Sequence, residues 1–240
     1  WAAAVARYSR DTLLKYGYVP YYVVLMEENL TRAFRNKQRD SIVFYAADLA
    51  HYISDAHVPL HTTINYDGQL TDQKGLHALW ESVVPELELA NYELGEAGSA
   101  LYVKDKSAAI WSAVEKAYNQ LPAVFGEEKE ATKQFTEATK FRIQLRNGKE
   151  VKYFTTAFAL EYSKHMGTSI NDQLKASARM VADFWYTAWV DAGKPDLSVL
   201  YTRPLTEEDK TRFSEDLNAY RTNQLQKQNR LISRMNTNNN

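Results

Sequence analysis

The sequence predicts an all-α protein. Three observations carry that expectation: apolar residues recur at helical spacing along most of the chain, proline and glycine fall where those runs end, and no alternating strand pattern of any length stands out. No internal repeat is visible. The 240 residues are enough for one large domain or two small ones with a sizeable core. The helical run reads as a single domain over residues 1–235, with residues 236–240 as a polar tail.

Each element has its own justification. Ala2 to Lys15 is Ala/Leu-rich and should stop near Gly17, a residue suited to helix C-termini. Between Tyr21 and Lys37, Val24, Leu25, Leu30 and Phe34 recur at roughly helical spacing. Asp40-Ser41 offers the next helix start, and Ile42 to Ala56 should run on to Val58-Pro59, where proline disfavours the α conformation one residue back. Asn65-Tyr66-Asp67-Gly68 is turn chemistry, and a helix should resume near Gly75 and carry His77 and Glu81. Ser107 to Phe135 reads as helical, broken at Leu121-Pro122 or at Gly126. Asn147-Gly148-Lys149 reads as a turn. Tyr153 to Asp191 reads as one or two long helices, with Val181, Phe184, Trp185, Ala188 and Trp189 as a core-facing stripe. The last helix should open at Thr206-Glu207-Glu208-Asp209 and reach Met235.

Composition narrows the function classes. A formal net charge of -1 argues against a polyanion-binding surface spread over the whole protein, though a local basic stripe is compatible with it. Cysteine is absent, so disulfides are excluded and any zinc must be held by nitrogen and oxygen. The longest strongly apolar stretch, around Tyr21 to Met26, is far too short to span a bilayer. The sequence starts at Trp1 rather than Met and shows no signal peptide, so its start reads as processed or truncated.

The chemistry concentrates in one stretch. Four of the five histidines fall between His51 and His77, where even spacing would put about one. On a helix, His51 and Asp55 are four apart and share a face, close enough to bind one ion. His61 follows Pro59, where the chain leaves the helix and can turn a side chain back. His77 and Glu81 repeat the four-residue spacing. These five nitrogen and oxygen donors suffice for more than one zinc. A lone His/Asp pair at this spacing is more often a helix salt bridge; two pairs with a histidine between them favour a metal-binding domain. His57, two residues from Asp55, lies on a different face and reads as a hydrogen-bonding support, with metal binding the alternative. His165 reads as a surface or satisfied residue.

The run His51-Tyr52-Ile53-Ser54-Asp55-Ala56-His57-Val58-Pro59-Leu60-His61, with Leu76-His77-Ala78-Leu79-Trp80-Glu81, resembles the zinc-dependent phospholipase C superfamily, which includes the plant and fungal single-strand-specific nucleases. The resemblance implies a multi-helix domain of that type and hydrolysis of a phosphodiester, either a phospholipid head group or single-stranded nucleic acid. It implies that His61, His77 and Glu81 hold one of up to three Zn2+ ions. It further implies that His51 helps hold a second ion and that Asp55 bridges to a third as the catalytic carboxylate. Export from the cell is also implied. The superfamily's chain begins with a zinc-binding Trp and has a further Asp and His upstream of the main motif. Here Trp1 heads the sequence but no histidine precedes His51, so an N-terminal portion of the family fold is expected to lie outside it.

Glu81, where the nucleases tend to have Asp, leans the expectation towards the phospholipase C branch. Arg142, Arg146, Lys149 and Lys152, interleaved with Phe141, Tyr153 and Phe154, could touch nucleic acid or form a solvated turn. A degenerate, zinc-braced binding protein is the non-enzymatic alternative. Nothing in the sequence calls for an obligate protein partner.

Overall fold

The structure, a computed structural model, describes residues 1–95, 98–146 and 148–232. Helices form close to where the apolar periodicity predicts them. The first expected helix is two: α1 (Ala2–Tyr8) and α2 (Arg10–Tyr16) are separated by Ser9. Ser9 adopts φ +65° and its hydroxyl caps α2 by accepting from the Thr12 N–H at 3.3 Å. Helix α3 (Val19–Arg35) places Pro20 in its first turn, where a missing N–H costs nothing. Helix α4 (Arg39–Asp55) gives way to an extended Val58 before Pro59, and Pro59–Thr62 forms a short 3-10 turn.

Helix α5 (Leu76–Ala78) runs through a π-turn at Leu79–Val83 into α6 (Val84–Glu88). Pro85 supplies the reason. It has no N–H for the carbonyl four residues back, and its ring crowds that carbonyl, so the turn before it widens. The widened bond is explicit: the Val84 N–H bonds the Leu79 carbonyl, five residues back. Next come α7 (Lys106–Tyr118) and α8 (Leu121–Thr132), which divide at Leu121-Pro122 as expected. A short α9 (Glu137–Lys140) precedes a hairpin of β1 (Phe141–Arg146) and β2 (Lys149–Phe154).

That hairpin corrects the expectation of a chain without strands. Its register pairs Phe141 with Phe154, Arg142 with Tyr153 and Leu145 with Glu150. Phe141, Ile143 and Leu145 alternate with Arg142 and Gln144, a period-two signal confined to six residues. The expected turn at Asn147-Gly148-Lys149 includes Asn147, which lies outside the described residues. The hairpin also delays the following helix: α10 (Thr156–Met166) starts after Tyr153 and Phe154, with Thr155 as its cap, and Gly167 at φ +58° separates it from α11 (Ser169–Asp191).

The last helix is shorter than expected. α12 (Glu207–Arg221) stops before Asn223, which takes a left-handed backbone. The Asn223 Oδ1 accepts from the N–H groups of Leu94 (2.9 Å) and Gly95 (3.1 Å), so its side chain is committed to another segment. Residues 233–235 of the expected helix and the tail 236–240 lie outside the described residues. The chain is therefore mostly helical, with one two-stranded ribbon among the described residues.

Two compact units are distinguishable, each with its own core. The first comprises Trp1–Ile64, Gly98–Ala117 and Lys175–Glu207. Its core packs Val23, Met26 and Leu30 of α3 on Leu49 and Ile53 of α4, with Ile110 and Phe184. Beneath that core Lys106 lies 2.8 Å from both the buried Glu27 and Asp191. The second unit comprises Asn65–Ala97, Tyr118–Leu174 and Glu208–Asn240. In it the Tyr162 hydroxyl, on α10, donates to the Val124 carbonyl of α8 at 3.1 Å. The Phe154 ring stacks on Phe158 at 5.1 Å, joining the hairpin root to α10.

Candidate metal centre

Local geometry explains how each expected ligand is presented. His51 and Asp55 occupy the last two turns of α4, one turn apart, as their spacing predicts. Asp55 stands between two imidazoles: its Oδ2 lies 3.5 Å from His51 Nε2 and its Oδ1 lies 3.7 Å from His61 Nδ1. The second distance is ion-pair range rather than a hydrogen bond. His51 is 67% exposed at its side chain, whereas Asp55 and His61 are only about a quarter exposed (26% and 27%). Proline sets this up, because the 3-10 turn that Pro59 opens carries His61 back towards the end of α4.

His77 lies on α5 and Glu81 on the π-turn that follows. Their contact is a close hydrogen bond, His77 Nε2 to Glu81 Oε2 at 2.6 Å. An ionised carboxylate can only accept, so the imidazole N–H is the donor in that state. Tyr66 adds an edge-on ring 6.3 Å from His77. Gly75 precedes the helix at φ +99°, and a side chain there would meet the Phe154 ring at 3.2 Å, so both backbone and packing require glycine.

Within the first unit, His61, Asp55 and His51 follow one another in that order, linked by the two ion-pair distances above. Within the second unit, His77 and Glu81 form a close pair. Two donors about 2.1 Å from one tetrahedral ion stand roughly 3.4 Å apart, so His77 and Glu81, 2.6 Å apart, need only a small side-chain movement to share one ion. Imidazole nitrogen and carboxylate oxygen are both common zinc donors.

The remaining histidines have structural roles. His57 is buried, and its Nδ1 lies 2.8 Å from the Ile53 carbonyl, so it donates within its own helix end. Burial pushes its pKa down, against the raising effect of that hydrogen bond, and it remains neutral and internal. His165 is satisfied at Glu127, 3.0 Å away, as expected.

Several supporting residues escape a reading of motifs. Gln73 donates to the Phe125 carbonyl at 2.8 Å and to Glu128, which anchors the turn ahead of His77. Pro85 creates the wide turn that carries Glu81, and a proline four residues after a candidate ligand is the signal that could have revealed it. Trp80 is buried beside Glu81 in sequence, and its indole N–H has no hydrogen-bond partner among the described residues. A cleft of about 790 Å³ in the second unit is lined by Asp67, Lys74, Leu79, Val83, Arg142 and Tyr153 among others. Its lining includes Ala78 beside His77 but neither His77 nor Glu81 itself. Of the basic cluster, Arg142 and Lys152 are exposed on the hairpin, while the side chains of Arg146 and Lys149 lie outside the description. No helix among the described residues is long and apolar enough to cross a membrane. Compared with protein-family models, curated proteins and solved structures, the chain finds no match.

Proposed function

We propose that the protein is a zinc-dependent hydrolase of phosphoric esters, acting on phosphodiesters. The observation that carries this reading is a pair of His/carboxylate groups, Asp55 between His51 and His61 in one unit and the close His77–Glu81 contact in the other. The spacing of His51, Asp55, His61, His77 and Glu81 supports it through its resemblance to the zinc-dependent phospholipase C superfamily, whose fold type belongs to the same proposal.

In this reading His61, His77 and Glu81 hold one zinc, and His51 with Asp55 contributes to neighbouring positions. Bound zinc supplies a water acidified towards neutral pH and a Lewis acid for phosphoryl oxygens. The chain's own residues set the charge and the geometry. Two neutral imidazoles and one carboxylate leave net positive charge on a dication, which draws an anionic phosphodiester to the site. The His77–Glu81 hydrogen bond holds two would-be ligands side by side, and a neutral His77 would offer Nε2 to an ion as the tautomer with its proton on Nδ1. Asp55, directed at His51 and His61 by one oxygen each, orients both rings and offers a carboxylate to receive a proton from the attacking water.

The test measures zinc content of the purified protein together with hydrolysis of bis(p-nitrophenyl) phosphate. Chelation should abolish hydrolysis and added zinc should restore it. Asp55→Asn should lower the rate by roughly a hundredfold or more, while the His61/His77/Glu81 ion stays bound. Zinc-loaded protein without phosphodiesterase activity would reduce the triad to a structural brace. Unchanged zinc content in His77→Ala would sink the metal assignment altogether.

A further inference from the structure

The cleft of about 790 Å³ in the second unit draws its lining from two anchored segments. One is the turn 67–75 with the helical stretch that follows it. Asp67 Oδ1 accepts from the Gly75 N–H at 3.2 Å, and the buried Gln73 amide donates to the Phe125 carbonyl at 2.8 Å, so this turn is tied down. The other is the root of the hairpin, where Phe154 is buried on Phe158 and the Thr155 hydroxyl donates to the Thr139 carbonyl at 2.7 Å. Apolar side chains line the space: Leu79 is buried, while Val83, Val151 and Tyr153 are half-buried. The strand register sets Arg142 opposite Tyr153, with Val151 two residues along on the same face, so a cation stands beside an aromatic ring and an aliphatic neighbour. A preformed apolar cleft of this volume, carrying a few placed polar groups, suits a small organic molecule.

The charges around this space identify the kind of molecule. Several are already committed: Lys152 pairs with Glu137 at 2.9 Å, Lys140 pairs with Glu128 at 2.6 Å, and Asp67 holds the Gly75 N–H. Lys74, Arg142 and Asp72 also line the cleft and are exposed, and the side chain of none of the three is hydrogen-bonded or ion-paired to another described residue. Uncommitted charges of both signs therefore border one apolar space. A purely anionic ligand would set its charge against Asp72, and a purely cationic one would meet Arg142 and Lys74. A molecule with both an ammonium and a carboxylate group answers both signs while its apolar body covers Tyr153, Val151 and Leu79.

We propose that this cleft binds a small zwitterion of the amino-acid or short-peptide class, its carboxylate paired with Arg142, its ammonium with Asp72 and its apolar side chain on Tyr153 and Val151. Binding needs neither metal nor hydrolysis, so this inference and the proposed chemistry fail separately.

The test is isothermal titration calorimetry of the full chain, treated with chelator, with the dipeptide phenylalanyl-leucine, its N-acetyl form, its C-terminal amide and free phenylalanine. The free dipeptide should bind at one site, more weakly as salt rises, and blocking either end should lower its affinity roughly tenfold or more. Arg142→Gln should weaken the free dipeptide by a similar factor yet leave the C-terminal amide unchanged, since that form has no carboxylate to lose. Asp72→Asn should weaken the free dipeptide and leave the N-acetyl form unchanged; asparagine tolerates the left-handed backbone of that position, φ +59°. Circular dichroism confirms that both variants keep their helix content. Phenylalanine binding as tightly as the dipeptide supports the proposal in its amino-acid form, and tighter binding of the dipeptide supports the peptide form. Three results would overturn it: no saturable binding of either free zwitterion at millimolar concentration, blocked forms that bind as tightly as the free dipeptide, or affinity indifferent to both substitutions. An N-acetyl form that binds as well as the free dipeptide while the amide does not would make the cleft a site for anions alone, which also rejects the proposal.

Discussion

Lys140→Met tests the support beneath the candidate centre. The lysine Nζ lies 2.6 Å from Glu128 Oε1, with the two side chains 8% and 1% exposed. Around it the rings of Phe158, Phe141 and Phe154 stand 5.0, 5.1 and 5.8 Å from Nζ. Methionine nearly conserves the volume but removes the cation, which leaves Glu128 with the Gln73 amide and the Thr132 hydroxyl as its side-chain donors among the described residues. A buried charge stripped of its partner costs about 3–5 kcal/mol. With a urea slope of about 2–3 kcal/mol/M, the unfolding midpoint should fall by about 1–2.5 M. Lys140→Met/Glu128→Leu removes both charges and should recover most of the loss, to within about 1–2 kcal/mol of the parent, because Gln73 keeps the Phe125 carbonyl. Since Gln73 anchors the turn ahead of His77, the single variant should also bind zinc more weakly. Urea titration followed by circular dichroism, with zinc competition against a chromophoric chelator, reads both effects. An unchanged midpoint in Lys140→Met, or a double variant as unstable as the single one, would refute the reasoning.

Gly68→Ala places a Cβ about 2.3 Å from the Gln73 carbonyl oxygen on a backbone at φ +72°; it should lower thermal stability measurably and weaken zinc binding, and an unperturbed melting curve contradicts this. Glu81→Gln replaces an anionic ligand with a neutral one and should weaken zinc affinity roughly 10- to 100-fold by chelator competition, with little change in helix content. Lys106→Met removes the cation shared by Glu27 and Asp191, costing about 3 kcal/mol at pH 7. Burial raises the Glu27 pKa while the Lys106 hydrogen bond opposes it; burial pushes Asp191 up as well, but hydrogen bonds from Lys106 and Tyr102 outweigh it and hold that group low. Without Lys106 both groups take up protons more readily in the folded state. The deficit should therefore shrink as pH falls from 7 towards the carboxylate range, which urea midpoints at pH 7 and pH 5 can measure; a deficit that grows on acidification reverses the sign and rejects the account.

The helices and the ligand pairs were largely legible in the sequence because both depend on local spacing. Four-residue separation places His51 beside Asp55 and His77 beside Glu81 on any helix, and Pro59 announces the turn that returns His61. The rest depends on longer reach or on exceptions to periodicity. The hairpin's alternation lasts six residues per strand, a length that helical patterns also tolerate. The buried Lys140–Glu128 pair and the Gln73 contact join positions 12 and 55 residues apart, and charged residues carry no local mark of burial. Ser9 and Asn223 end helices by taking left-handed backbone conformations, which serine and asparagine equally well avoid elsewhere. Pro85 would ordinarily suggest a helix end; here the chain absorbs it by widening one turn.

That widened turn shifts the register of the helical stretch it interrupts. A π-turn adds one residue to a cycle, so side chains after Val83 are rotated by about a quarter turn from where a continuous α-helix would put them. The two halves of Leu76–Glu88 consequently answer to different requirements: His77 is aimed from the first half, whereas buried Val84 packs from the second. Sequence drift that tunes the ligand-bearing half need not disturb the packing half, because the extra residue takes up the angular slack between them. Such a joint lets metal affinity and folding stability vary independently within a single helical stretch.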